Sequence, residues 1–135
     1  AAVAGENLSY HFIIDRDGTI HQLVRTTMRA WHDPATNSGL GVGFVNLGFQ
    51  EKYAGREGSP PIDKWVDGPR TDGSAGKFEP YPEAQIAAGE KLVSELKKMY
   101  PSITKIWKHL ETPSGIKATK GDPGPDEVFP ISRFR

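Results

Sequence analysis

The chain has 135 residues, 36% hydrophobic and 25% charged, with 15 glycines, 11 prolines and no cysteine. This length is typical of one domain with a buried core. Seventeen basic side chains balance seventeen acidic ones, so the basic excess of a nucleic-acid-binding protein is missing. The lack of cysteine excludes disulfides, a thiol nucleophile and zinc sites built on thiolates. No apolar run reaches the roughly 20 residues of a membrane-spanning helix.

The first predicted elements form a hairpin and a third strand. Residues 10–15 are rich in β-branched and aromatic side chains, which indicates a strand. Residues 15–18 (Asp-Arg-Asp-Gly) are typical of a turn, with Gly18 at a position that favours positive φ. Residues 19–24 alternate between apolar and polar and are expected to pair back on the first strand. Residues 40–47 predict the third strand.

A long segment with no sustained period follows at residues 49–80. It holds five glycines and four prolines, and such a long connection is usually functional or disordered. We interpret it as a loop insertion on the surface of a single domain spanning residues 1–135. Within this segment, Ile62 and Trp65 predict that part of the insertion packs down rather than projecting into solvent.

The second half of the chain begins with the clearest helix. Apolar side chains recur at spacings of three and four over residues 82–100, and Pro101 is expected to end the helix. Residues 103–107 (Ile-Thr-Lys-Ile-Trp) predict a short, buried fourth strand that delivers His109 just past its end. Residues 111–135 are mostly loop. The order of elements predicts an α/β fold with a central mixed sheet flanked by helices.

Four histidines and one aspartate are candidates for chemistry. His11 and His21 lie within predicted strands, where a packed or solvated histidine is more common than a ligand. His32 lies at the edge of a loop, where a metal ligand, a substrate contact and an ordinary loop residue are all open. His109 and Asp122 flank a loop, and the Asp-Pro-Gly-Pro turn holds the carboxylate of Asp122 in place. The two are candidate zinc ligands, although spacing alone favours two ordinary loop residues.

Three blocks in this order resemble the zinc-dependent N-acetylmuramoyl-L-alanine amidases. This family includes phage amidase lysozymes, bacterial wall-recycling amidases and animal peptidoglycan recognition proteins. The blocks are the hairpin at residues 9–20, the Ala-Trp-His segment continuing to the glycine-rich strand at residues 30–42, and His109 followed by Lys-Gly-Asp-Pro-Gly-Pro at residues 120–125. Together they cover nearly the whole chain apart from the insertion. The resemblance implies the amidase fold, with its mixed sheet flanked by helices.

The resemblance also implies a zinc site and its chemistry. In the family, two histidines and one aspartate or cysteine hold Zn²⁺; His109 matches the second histidine and Asp122 the carboxylate. Tyr10 matches a tyrosine whose hydroxyl positions or deprotonates the attacking water. Lys120 matches a lysine that stabilises the tetrahedral oxyanion.

The function implied is hydrolysis of the amide bond between N-acetylmuramic acid and L-alanine in peptidoglycan. His32 and Asn37 of the second block are the expected substrate contacts. The substrate is peptidoglycan or a soluble muropeptide, and the enzyme is a lytic or recycling amidase; the compartment is left open. The alternatives are a peptidoglycan-binding module without activity, or a phage structural domain that uses the insertion as its docking surface.

Two departures from the family pattern stand out. Gly43 occupies the position where some members carry a catalytic glutamate, which shifts the proton-transfer role to Tyr10. The family's first zinc histidine precedes that tyrosine, and residues 1–9 contain no histidine. The expectation we favour is that a separate N-terminal segment completes both the sheet, whose edge it would cover, and the zinc site. Two alternatives stay open: a degenerate binding module, or His11 or His32 serving as a substitute ligand.

Overall fold

The computed structural model of the protein describes five stretches of the chain. They are residues 10–28, 39–46, 64–69, 75–107 and 128–135. The chain divides into two compact units, each described by itself. The first unit comprises residues 1–45 and 82–102, and the second comprises residues 46–81 and 103–135. Within the described stretches, no helix combines the length and the apolar character needed to cross a membrane.

A three-stranded mixed sheet forms the centre of the first unit. Strands β1 (Phe12–Ile14), β2 (Ile20–Gln22) and β3 (Val42–Phe44) lie in the order β2-β1-β3. β1 pairs with β2 antiparallel and with β3 parallel, so that Ile13 lies opposite both His21 and Gly43. All three side chains of β1 are buried, as expected for a central strand covered on both faces. The predicted hairpin and third strand are therefore confirmed, although each strand is shorter than predicted.

The turn between β1 and β2 needs its glycine. Gly18 has a φ of 90°, and its N–H donates to the Asp15 carbonyl at 3.0 Å. A Cβ at this position would lie 2.9 Å from the carbonyl oxygen of Ala84, which belongs to the backbone of the following helix. Asp17 completes the turn, because its Oδ1 accepts the Thr19 N–H at 2.8 Å. Positive φ and close backbone approach both favour glycine here.

Helix α1 (Glu83–Met99) follows the sequence prediction closely. Pro82 is its N-cap residue, with extended backbone angles, and the Tyr100 N–H donates to the Leu96 carbonyl at the other end. Ile86 and Leu96 are buried as expected for the apolar face. Met99, which the spacing also places on that face, is 63% exposed. The final turn of the helix therefore extends past the core that the rest of the apolar face covers.

The second unit contains a hairpin that the sequence did not reveal. Strands β4 (Val66–Pro69) and β5 (Ala75–Phe78) pair antiparallel, with Val66 opposite Phe78. Both strands lie in the segment interpreted as a loop insertion. Their sequences, Val-Asp-Gly-Pro and Ala-Gly-Lys-Phe, carry too few apolar residues to alternate, so no strand period could be detected. Trp65 is buried as predicted, whereas Ile62 lies outside the described residues.

The last described segment packs on this hairpin. A Cβ at Gly68 of β4 would overlap a methyl group of Val128, so the glycine makes room for that side chain. A 3₁₀ helix (Ile131–Arg133) follows, and Ile131 and Phe134 are both buried. The Phe129 ring meets Tyr81 edge to face at a centroid distance of 5.0 Å and stacks on Phe134 at 5.4 Å. An aromatic cluster thus anchors residues 128–135.

The predicted fourth strand at residues 103–107 is wrong. The backbone of this segment is irregular, and Trp107 is 51% exposed rather than buried. The composition of the segment favours a strand, but a strand forms only where a neighbour accepts its hydrogen bonds. Here the Ile106 carbonyl instead accepts a hydrogen bond from Arg135 Nε at 3.0 Å. Within the described stretches, five strands and one long helix are consistent with a small α/β fold.

Candidate functional site

Tyr10, the predicted proton-transfer residue, lies two residues before the central strand β1. Its ring packs against Gly43 of β3: a Cβ built on that glycine would lie 3.3 Å from Tyr10 Cδ2. The ring of Tyr10 is thus the group that approaches the sheet most closely at this glycine. A side chain at position 43 would have to displace the ring, so the glycine sets where the tyrosine lies.

An irregularity in the sheet explains how Tyr10 reaches that face. The successive N–H groups of His11 and Phe12 both donate to the Gly41 carbonyl, at 3.0 and 3.1 Å. Two residues therefore face one, as in a β-bulge, and the alternation of side chains shifts by one residue. This shift brings Tyr10 to the face that carries Gly43. Bulges often redirect a side chain next to a functional site.

His11 has a structural role. It is 1% exposed, its Nδ1 accepts the Gly41 N–H at 3.0 Å, and its Nε2 lies 2.6 Å from the Met28 carbonyl oxygen. Because Nδ1 accepts a hydrogen bond, the proton is on Nε2, which donates to Met28. Both ring nitrogens are therefore engaged. This geometry leaves no lone pair for a metal, so His11 does not serve as the substitute zinc ligand.

His21 is a solvated residue, as its place in a strand led us to expect. Its side chain is 51% exposed and lies 3.8 Å from the carboxylate of Asp15. Near it, hydrogen bonds from the side chain and the backbone N–H of Thr19 lower the pKa of Asp17, which is fully exposed to solvent. These groups shape the surface of the β1–β2 turn.

The other predicted site residues lie outside the described part of the chain. They are His32, Asn37, His109, Lys120 and Asp122. Within the described ranges, no three histidine or carboxylate side chains come together in a group that could hold a metal ion. Of the predicted site, the structure therefore describes the setting of Tyr10, and the remaining assignments stay predictions.

Two buried polar residues were missed by the sequence reasoning. Gln85 is fully buried, and its Nε2 donates to the carbonyls of Ile14 and Val45, each at 3.0 Å. Glu79 is 3% exposed, and its backbone carbonyl accepts from Asn46 Nδ2 at 3.1 Å. The sequence signal for Gln85 was weak: it is one polar residue beside Ile86 on the apolar side of a helix.

Comparison with known families identifies the group to which this fold belongs. The sequence profile described as N-acetylmuramoyl-L-alanine amidase matches residues 2–125, nearly the whole chain. The chain belongs to this amidase family. The match confirms the resemblance drawn from the three sequence blocks and makes amide hydrolysis in peptidoglycan the general chemistry of its relatives. A comparison with curated individual proteins returned no match.

The contact between Tyr10 and Gly43 can be compared with the glutamate that some family members carry at this position. The resemblance places a catalytic glutamate of some members at position 43. Here even a Cβ at that position would push the ring of Tyr10 by a few tenths of an ångström, because 3.3 Å is closer than ordinary van der Waals contact. A glutamate side chain would need more room still. In this member of the family, the ring of Tyr10 therefore occupies the space that a side chain at position 43 would need.

Proposed function

We propose that this chain is a zinc-dependent amidase that cleaves the bond between the lactyl group of N-acetylmuramic acid and L-alanine in peptidoglycan. The observation that carries the proposal is the family match over residues 2–125. The packing of Tyr10 on Gly43 supports it, because this contact gives a defined setting to the tyrosine to which the resemblance assigns proton transfer.

The zinc ligands in this proposal are His109 and Asp122 with one further histidine. An imidazole nitrogen and a carboxylate oxygen are donors that Zn²⁺ accepts, and without cysteine the anionic ligand has to be a carboxylate. The described residues provide no such set of ligands, and the nitrogens of His11 are already engaged. When bound, zinc polarises the scissile carbonyl and lowers the pKa of its water to roughly 7.

The chain's own residues would then divide the remaining work. The hydroxyl of Tyr10 holds or accepts the proton of the attacking water, and its ring packs against Gly43 next to the bulge at His11. The Lys120 ammonium stabilises the negative charge that develops on the carbonyl oxygen, a role suited to a fixed positive group. His32 and Asn37 contact the substrate.

The test measures two quantities: the zinc content of the protein, and the release of wall peptides from purified peptidoglycan. It uses the chain by itself and the chain joined to an upstream segment that carries the family's first zinc histidine. We call the joined protein the complemented chain. We expect it to bind one zinc ion per chain, and we expect Asp122→Ala and His109→Ala to abolish zinc binding. His21→Ala is the matched control, since this solvated histidine has no role in the proposed site. A complemented chain with neither zinc nor peptide release would refute the proposal.

Tyr10→Phe separates catalysis from metal binding. This variant keeps the ring that packs on Gly43 but loses the hydroxyl, so we expect it to retain zinc and to lose about 10²-fold or more in kcat. Full activity in Tyr10→Phe would show that the hydroxyl has no catalytic role. Binding of peptidoglycan without any release, in a chain that holds zinc, would instead favour the non-catalytic binding module.

A further inference from the structure

Trp107 presents an exposed indole ring in the second unit. The residue is 51% exposed, although its sequence context predicts a buried strand. Exposed tryptophans are uncommon, and where they occur they often mark a binding surface, because the ring offers a large apolar face together with an N–H donor. The ring of Trp107 is therefore a candidate contact for a ligand.

One cationic group lies close to this ring, and a second is hydrogen-bonded to the backbone of the preceding residue. Lys105 Nζ lies 5.7 Å from the centroid of the Trp107 ring, and Arg135 Nε donates to the carbonyl of Ile106, the residue next to the tryptophan. The described segments 103–107 and 128–135 carry three basic side chains and no acidic one, whereas the whole chain is neutral. We call the surface formed by Lys105, Trp107 and Arg135 the Trp107 platform.

The Trp107 platform is attached to a well-packed part of the second unit. Arg135 follows the 3₁₀ helix, and the neighbouring Ile131 and Phe134 are both buried. The hydrogen bond from Arg135 to Ile106 joins this anchored end to the irregular segment that carries Trp107. A surface that is already ordered loses less conformational entropy when it binds a ligand.

We propose that the Trp107 platform binds the glycan strand of peptidoglycan and so positions the substrate for cleavage. The apolar face of a sugar ring would stack on the indole, and the carboxylate of a peptide stem would pair with Lys105 or Arg135. The choice of peptidoglycan rests on the proposed function. Trp107 precedes the predicted metal ligand His109 by only two residues in the sequence, which connects the platform with the proposed zinc site.

The chemistry favours a glycan over other anionic polymers. A nucleic-acid surface needs an extended basic patch, and the balanced charge of this chain does not provide one. A few cations beside one aromatic ring suit a ligand with isolated carboxylates and apolar sugar faces. Binding should therefore depend on Trp107 strongly and on salt only moderately.

The experiment measures the affinity of the full chain for insoluble peptidoglycan from which teichoic acids have been removed. We expect Trp107→Ala to weaken binding about tenfold, and Trp107→Phe, which keeps an aromatic face, to restore part of the loss. Lys105→Ala should weaken binding mainly at low salt. Met99→Ala, which truncates another exposed apolar side chain but lies in the first unit, is the matched control and should bind normally. Circular dichroism and thermal unfolding of each variant verify that it is folded.

Several results would overturn the proposal. These are unchanged binding by folded Trp107→Ala, equal loss in Met99→Ala, or tighter binding to DNA or to teichoic acid than to the stripped glycan. Kinetics of the complemented chain separate this proposal from the proposed function. A raised KM with unchanged kcat in Trp107→Ala supports the platform. Binding that depends on Trp107 without any peptide release would support the platform and refute the proposed hydrolase activity. Peptide release that is unaffected by Trp107→Ala would support the hydrolase activity and refute the platform.

Discussion

Replacing Gln85 by leucine tests how helix α1 is fixed to the sheet. The buried Gln85 amide donates to the carbonyls of Ile14 and Val45, which lie at the ends of the neighbouring parallel strands, so one side chain joins both strands to the helix. In Gln85→Leu both hydrogen bonds disappear. The Ile14 carbonyl still accepts the Val45 N–H at 3.0 Å, whereas the described structure offers the Val45 carbonyl no replacement donor.

The expected loss of stability follows from these contacts. Two hydrogen bonds at about 1 kcal/mol each, together with about 1–3 kcal/mol for the carbonyl that is left buried without a partner, cost about 3–5 kcal/mol. One term acts in the opposite direction, because Gln85 Oε1 is buried and has no hydrogen-bond partner in the described structure. Removing that oxygen recovers about 1 kcal/mol. The free energy of unfolding should therefore fall by about 2–4 kcal/mol.

Urea unfolding followed by circular dichroism measures this change as a lower midpoint at an unchanged slope. Ser94→Leu is the matched control, since it introduces the same side chain at an exposed position of the same helix and should leave the midpoint nearly unaltered. Gln85→Glu should be less stable than Gln85→Leu at neutral pH, because a carboxylate would face two carbonyl oxygens. If Gln85→Leu were as stable as the original chain, the amide would not be what joins the helix to the two strands.

Three further predictions concern the β1–β2 region. Gly18→Ala should lose about 1–3 kcal/mol of stability, because φ is 90° and the Ala84 carbonyl oxygen blocks the position of the new Cβ. An unchanged midpoint in urea unfolding would argue against this strain. His11→Leu should lose about 2–4 kcal/mol because the buried Gly41 N–H and the Met28 carbonyl both lose their partner. His21→Leu, at an exposed position, serves as the control and should stay within about 0.5 kcal/mol. Asp17 has a lowered pKa in the folded chain, so its stabilising effect is present above its unfolded value of about 3.9 and is lost as the pH falls through the folded value. Asp17→Ala should therefore flatten the acid side of the stability curve, and an identical curve would contradict the role given to its hydrogen bonds with Thr19.

The sequence predicted the first unit well because its signals there are local. Helix α1 is predictable from the spacing of its apolar side chains and from Pro82 and Pro101 at its ends. The turn at Gly18 needs a residue that tolerates positive φ, and this requirement involves only a few adjacent positions. The three amidase blocks likewise depend on residue types in order along the chain, so the family could be identified before the fold was seen.

The second unit was harder to predict because its structure depends on distant partners. β4 and β5 have weak strand sequences, yet they pair, and Val128, far along the chain, packs against Gly68 of the hairpin. Residues 103–107 have a strong strand sequence but form no strand, and the Ile106 carbonyl accepts a hydrogen bond from the distant Arg135. Propensity measures the preference of a segment, and pairing requires a neighbour that the segment itself does not specify.

The candidate site divides in the same way. The sequence by itself determined the family, the choice of Asp122 over cysteine as the predicted anionic ligand, and Tyr10 as the predicted proton-transfer residue. Only the tertiary structure decided that the ring of Tyr10 lies on Gly43, that His11 is a buried structural residue, and that Trp107 faces solvent. The physical reason is that residue identity sets what a side chain can do, whereas burial and hydrogen-bond partners, which come from distant parts of the chain, set what it does.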